Sequence, residues 1–333
     1  MIRSKETRRR AMLVLEMLGI AAAYYASGRV GLLRPVEVES SLVTPLWPPS
    51  GIAVASLLYL GPRIWPGIAL GALLTVISTS GGLTFWGLTI AAGSTLAPLC
   101  SFLALRAVGF RAELDRLRDG VALVFLGAMG GMVISATVGA GAQLLSGALP
   151  AAEFWSVWSA WWAGDAMGVL MVTPLLLVLR KARLPRVDDR WAEAGALAVV
   201  TAVATAVATR SSLSMIYVIF PVLVWAALRF QLAGSAPCAL FISVMAIVAG
   251  TDAVGPFAGH SVLEVMLNLS VLNGCVALTA LLLAAIVTEH NNIRHETELA
   301  CEELAALVEE LSPQPPAEDW PNGAHNGHDR GIS

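Results

Sequence analysis

Residues 44–67 read TPLWPPSGIAVASLLYLGPRIWPG, and this stretch decides how the chain folds. It holds two Trp-Pro pairs, Trp47-Pro48 and Trp65-Pro66, around a short apolar run. Pro48 and Pro49 lack N–H groups and bias the residues before them toward extended backbone. An extended approach is therefore expected, then a helix capped by Ser50 with Gly51 in its first turn. The apolar part, Ile52 to Leu60, is too short to cross a bilayer by itself. Irregular backbone at membrane depth is tolerated only where protein buries it or where it lines a cavity. The alternative is a loop ending just outside the membrane, with Trp47 as an interface anchor. The broken, cavity-lining arrangement is the expectation taken forward.

The rest of the chain supplies the membrane around this break. Of 333 residues, 56% are hydrophobic and 14% charged, and the mean hydropathy is +0.71. Apolar runs near twenty residues recur, which excludes a soluble domain and predicts an all-α, polytopic transmembrane bundle. The pattern gives about ten membrane segments, or eight if two are re-entrant. No basic field suits nucleic acid, so no nucleic-acid partner is expected. The apolar run after the basic start is too long for a signal peptide and reads as a retained first helix.

Charge orients the bundle. Arg3, Lys5, Arg8, Arg9 and Arg10 make residues 1–10 a basic cytoplasmic N-terminus. The clusters Arg106, Arg111, Arg116, Arg118 and Arg180, Lys181, Arg183, Arg186, Arg190 fall on the same side. Spans are expected at about 10–31, 64–79, 84–108, 119–147, 152–179, 191–209, 213–229, 232–250 and 262–288, beside the half-helix. Both termini then lie inside, and Arg210 is the exception. Residues 11–288 form the membrane domain in this reading. Residues 289–311 form a cytoplasmic helix that continues a repeat begun at Ile286 in the last span: Ile286, Ile293, Ala300 and Leu307 recur every seven residues, a coiled-coil spacing. The Pro-, Gly- and Asn-rich residues 312–333 are expected to be a disordered tail.

The span FWSVWSAWWAGDAMGVLMVTP carries the most unusual polar group. Asp165 lies about twelve residues in, roughly 18 Å at the rise of an α-helix, close to mid-membrane. Such a carboxylate is costly there and should face the bundle interior with a partner. Trp158, Trp161 and Trp162 share its face, and Gly164 and Gly168 leave room for another backbone. Arg229 and Arg63 are the candidate cations, although each has snorkelling to the surface as its default. Asn268, one turn after Glu264, is a further polar candidate. Cys100, Cys238, Cys275 and Cys301 have no metal or redox spacing, and there is no HExxH, so no cofactor or metal is expected. His295-Glu296 lacks the residues that would complete a phosphoacceptor box.

Taken together, WPPSG at 47–51, GPRIWPG at 61–67, WWAGDAMGVLMVTP at 161–174, FPVLVWAALRF at 220–230 and GPFA at 255–258 resemble the first of the MASE families, the membrane-associated sensor domains. The resemblance covers about residues 11–290. It implies a non-catalytic sensory input domain of the bacterial inner membrane, responding to an unidentified small molecule or membrane state. The input role would be borne by Trp47, Pro48, Pro49, Gly51, Trp162, Asp165 and Arg229, with Trp158 and Asn268 added from the reading of the residues themselves. Family members usually pass the signal through a short cytoplasmic helix to a cyclase, phosphodiesterase or kinase segment. No such segment follows here, so the chain is expected to signal through residues 289–311, as a homodimer or to a separate cytoplasmic protein. The rival is a small-molecule transporter or channel with a proton- or cation-linked Asp165. It draws on a loose likeness between the second-third and eighth-ninth segments, each with an aromatic-Pro approach and a short helix ending near Arg63 or Arg229.

Overall fold

The computed structural model describes residues 2–181, 190–211 and 215–311. The part of the basic loop at 182–189 and the tail from 312 onward, expected to be disordered, lie outside the described residues. The chain is an all-α helix bundle of the polytopic membrane kind. Among the described residues, eight helices are long and apolar enough to cross a membrane, and one apolar helix is short, Pro48–Leu60.

The chain order is α1 (Ile2–Gly31), a two-stranded hairpin of β1 (Val36–Val38) and β2 (Ser41–Val43), α2 (Pro48–Leu60), α3 (Trp65–Ser80) and α4 (Phe85–Ala107). Then come α5 (Leu117–Ala122), a π-helical stretch Leu123–Gly130, and α6 (Gly131–Leu145), which together make one membrane-length helix. α7 (Phe154–Lys181), α8 (Arg190–Arg210), α9 (Ile219–Thr251) and α10 (Val262–Leu311) complete it. α1 begins earlier than its apolar run, because the basic residues before that run are good helix formers. Apolar side chains such as Leu15, Phe85, Leu103 and Val271 are exposed on the helices. Lipid, which is as apolar as they are, is the solvent that accepts them.

Between the first span and the opening stretch, where no membrane segment is predicted, the chain forms a hairpin. It pairs Val36 with Val43 and Val38 with Ser41. Val38 and Val43 are buried with Ala160 and Met266, which gives the loop a small apolar core.

The helix start in the opening stretch also differs from the expectation. α2 begins at Pro48, with Pro48 and Pro49 at its first two positions and Trp47 as the flanking residue. The first amides of a helix have no intrahelical acceptor, so prolines cost nothing there. Ser50 therefore lies inside the first turn and is not the cap. Its hydroxyl is free for another partner.

α2 ends at Gly61, whose φ of 80° and ψ of 178° suit only glycine, and a 3-10 turn over Pro62–Ile64 leads into α3. α9 has a similar interruption: Gln231 has φ 52° and ψ −140°. A Cβ on Gly234 would stand 2.5 Å from Phe230 Cβ and 3.3 Å from the Ala226 carbonyl oxygen. Ala226 is eight residues earlier, so the chain doubles back here. Segments eight and nine of the ten-segment layout are thus two arms of α9. The arm before Gln231 is short, like α2, which is why the number of membrane-length helices is eight.

The chain divides into two compact units, residues 1–289 and residues 290–333. In the first, the N–H of Leu117 at the start of α5 donates to Glu289 at 2.9 Å. In the second, Arg294 pairs with Glu298 at 2.8 Å along one helix face, and Ile293, Leu304 and Leu307 are exposed.

Candidate functional site

The two glycines of α7 create the site. A Cβ on Gly164 would stand 2.2 Å from the Thr44 carbonyl oxygen, and one on Gly168 would stand 1.9 Å from that of Trp47. Only bare backbone on α7 lets the Thr44–Trp47 segment press against it. The Trp47 N–H then donates to the Gly164 carbonyl at 2.9 Å. Gly51 continues the contact, since its Cβ would fall 2.2 Å from the Gly168 carbonyl oxygen. Thr173 donates to the Gly51 carbonyl at 3.0 Å, and Tyr59 to that of Leu177 at 2.7 Å. α2 consequently runs alongside the second half of α7, in the same direction. The extended segment before it reaches the middle of that span, as the double proline implied.

Asp165 sits at the junction. It is 2% exposed, and one carboxylate oxygen accepts from Ser50 Oγ at 2.5 Å. Ser135 and the Trp161 indole flank the carboxyl group, but neither closes a hydrogen bond to the other oxygen, which has no partner among the described residues.

A cavity of about 320 Å³ lies against this group. Its inner wall is Tyr24 of α1, Trp47, Trp161, Gly164 and Asp165. Thr75 and Thr79 of α3 and Ser94 of α4 line its middle. Leu42, Ser80, Thr84, Trp86, Gln143 and Ser146 line the opposite end, where the hairpin and the ends of α3, α4 and α6 meet. Ser41 donates to Gln143 at 2.5 Å and Ser40 to Glu153 at 2.5 Å, which fixes the hairpin over that end.

The sequence candidates divide between this cavity and other places. Trp47 and Asp165 line it. Pro48, Pro49 and Gly51 form the buried start of α2 beside it. Trp158 and Trp162 stack on each other, with centroids 6.1 Å apart and rings 11° from parallel, and face α6 and the π-helical stretch. Trp158 Nε1 donates to Thr137 at 3.0 Å, and Trp162 Nε1 to the Met129 carbonyl at 2.8 Å. Met129 belongs to the π-helical stretch, where carbonyls lose their regular partners; Ser101 likewise donates to the Gly127 carbonyl at 2.8 Å. Arg229 pairs with Glu193 at 2.5 Å and so is tied to α8, away from Asp165. Asn268 is exposed on α10, whereas Asn273 is 1% exposed with no hydrogen-bond partner for its amide among the described residues.

Tyr24 is the lining residue that sequence reading missed most completely. It is 2% exposed, in the middle of the first span. The signal was present, since a tyrosine deep in an apolar helix needs a polar neighbour. Trp86, Ser94 and Gln143 carried no local signal. They come together only through the packing of α4 and α6. Among the described residues no cluster of His, Cys, Asp or Glu is placed to hold a metal.

No curated protein and no solved structure matches the chain. The MASE1 family model matches residues 17–291, from the first helix to just past the boundary between the two compact units. That match spans α1 to α10 and includes every residue of the cavity. The chain belongs to the MASE1 family of membrane-associated sensor domains, and is an integral, multi-pass membrane protein of the sensory-input kind.

Proposed function

We propose that this chain is the signal-input unit of a bacterial inner-membrane signalling system, with both termini in the cytoplasm and no catalytic chemistry of its own. The observation that carries this reading is the placement of Asp165. It is a buried carboxyl group with one unpartnered oxygen, at the inner end of a cavity walled by Thr44 and Trp47, the residues that lead into α2. The positive-inside pattern puts the mouth of that cavity on the outer face. A small molecule or a change in the membrane would enter there and repack α2 on α7. The signal would pass to residues 289–311, whose exposed seam calls for a second copy or a separate cytoplasmic signalling protein. Trp47, Pro48, Pro49, Gly51 and Asp165 act at the cavity in this reading. Trp158 and Trp162 hold α7 to the π-helical stretch, and Arg229 anchors α9 to α8.

The test is hydrogen exchange of residues 289–311 in the full chain in lipid nanodiscs. Asp165→Asn and Trp86→Leu, both on the cavity lining, should leave membrane insertion intact and change exchange in that segment. Unchanged exchange in both variants would remove the input role from this site.

A transporter is the second reading, favoured by the paired interruptions at Gly61 and Gln231. Each follows a short helix and precedes a full span, as in the repeated halves of transporters. Uptake of radiolabelled choline into proteoliposomes, above that of empty vesicles, would favour it over the sensor.

A further inference from the structure

The cavity has a chemistry that narrows its ligand, and this step rests on reading it as the input site. Its lining includes one acidic residue, Asp165, and no Lys, Arg or His among the described residues. A carboxylate at membrane depth is strongly disfavoured unless a counter-charge meets it. Ser50 supplies one hydrogen bond and no charge. Of the two cations the sequence offers, Arg229 is tied to Glu193, and neither it nor Arg63 lines the cavity. The second carboxylate oxygen is left without a partner.

The walls add a second observation. Tyr24, Trp47, Trp86 and Trp161 all contribute to the lining. Aromatic faces attract cations, more strongly where water is excluded. An anion would find no basic side chain on the lining, and a neutral polar molecule would leave the carboxylate without a counter-charge. The volume of about 320 Å³ suits a compact molecule and is too small for a peptide segment with secondary structure. We propose that the cavity binds a small organic cation, an amine or quaternary ammonium on a compact apolar body. The cationic head lies at Asp165 among the aromatic rings. The body lies toward the hydroxyl-lined mouth.

The full chain in lipid nanodiscs would be titrated by calorimetry with benzyltrimethylammonium, choline, the neutral carbon isostere of choline (3,3-dimethylbutan-1-ol), and benzoate. Both cations should bind, at least about tenfold more tightly than the alcohol and benzoate. Asp165→Asn should weaken the cations by about tenfold or more, and Asp165→Glu should recover part of the loss. Trp86→Leu, at the mouth, gives a second variant that does not disturb the buried junction; because it meets the body and not the cationic head, it should weaken choline and its neutral isostere alike, severalfold. Trp155→Phe, on the exposed outer face, should match the wild type. Equal binding of choline and the alcohol, preference for benzoate, no binding of either cation, or cation binding that survives Asp165→Asn would overturn the proposal. Hydrogen exchange at 289–311 separates the two ideas. Cation binding that leaves this segment unchanged sinks the input reading alone. An exchange change in Asp165→Asn with no cation binding sinks the ligand class alone.

Discussion

Ser50 of α2 and Asp165 of α7 are 115 residues apart in sequence, and the hydroxyl of one donates to the carboxylate of the other in a fully buried contact. Ser50→Ala would leave both carboxylate oxygens without this donor. The cost of an unsatisfied buried polar group is about 1–3 kcal/mol. The variant should unfold at lower temperature in detergent micelles, while Ser50→Thr, which keeps the hydroxyl, should lose less. A Ser50→Ala protein as stable as the wild type would remove this bond from the account of the fold.

Gly168→Ala places a methyl group where the Trp47 carbonyl oxygen already is. Because that neighbour is backbone, it cannot swing away, and overpacking of this kind costs about 1–3 kcal/mol or more. Gly164→Ala should behave alike. Gly141→Ala, on α6 with nothing within 4 Å, should be neutral or slightly stabilising, since alanine is the better helix former. Thermal unfolding of the three variants in the same micelles checks the ordering.

Glu289→Ala removes the acceptor of the Leu117 N–H at the start of α5. Loss of such a bond to the first turn of a helix costs about 0.5–2 kcal/mol. Amide exchange at Leu117 and the next two residues should accelerate, with α6 unchanged. Equal protection in the variant would show that Glu289 does not hold that terminus.

Ile293→Asp combined with Leu307→Asp places charges on the exposed heptad seam. The membrane bundle should keep its unfolding temperature, because neither residue is in its core. Any self-association through residues 289–311 should fall, read as mass by light scattering in detergent. A dimer that persists unchanged would relocate the contact to the membrane helices.

Trp162→Phe keeps the stack on Trp158 and removes the indole donor to Met129. The expected loss is about 1 kcal/mol, the net worth of one hydrogen bond. Trp155→Phe is the comparison, as its ring is 71% exposed and only its edge-on packing is altered. An equal loss in both variants would argue against the indole bond.

Much of this arrangement was written in local sequence. The double proline announced the break, the glycines four residues apart in α7 announced a close backbone, and the isolated Asp165 announced a buried polar contact. Each is a short-range property of one segment. The identity of the contacting groups was not local. Ser50 read as a helix cap because serine before an apolar run normally is one, and prolines at the two preceding positions looked like a barrier to helix. They are instead the residues best suited to a first turn. Arg229 was offered to Asp165 because both were rare charges in apolar spans, but Glu193, at the start of α8, was the partner available on its own side. The π-helical stretch had no sequence signature at all. It appears in the folded backbone, where Ser101 and Trp162 donate to two of its carbonyls.

α2 is fastened at both ends to α7, by Ser50 at Asp165 and by Tyr59 at the Leu177 carbonyl, where the Arg180 guanidinium lies 4.2 Å over the Tyr59 ring. The nine residue steps from one anchor to the other span roughly 14 Å of rigid helix. α2 also points its N-terminus, the positive pole of its dipole, at the carboxylate. A displacement at one anchor is therefore carried by a whole helix and not by one side chain: what shifts Ser50 at Asp165 shifts Tyr59 at Leu177 and Arg180 with it.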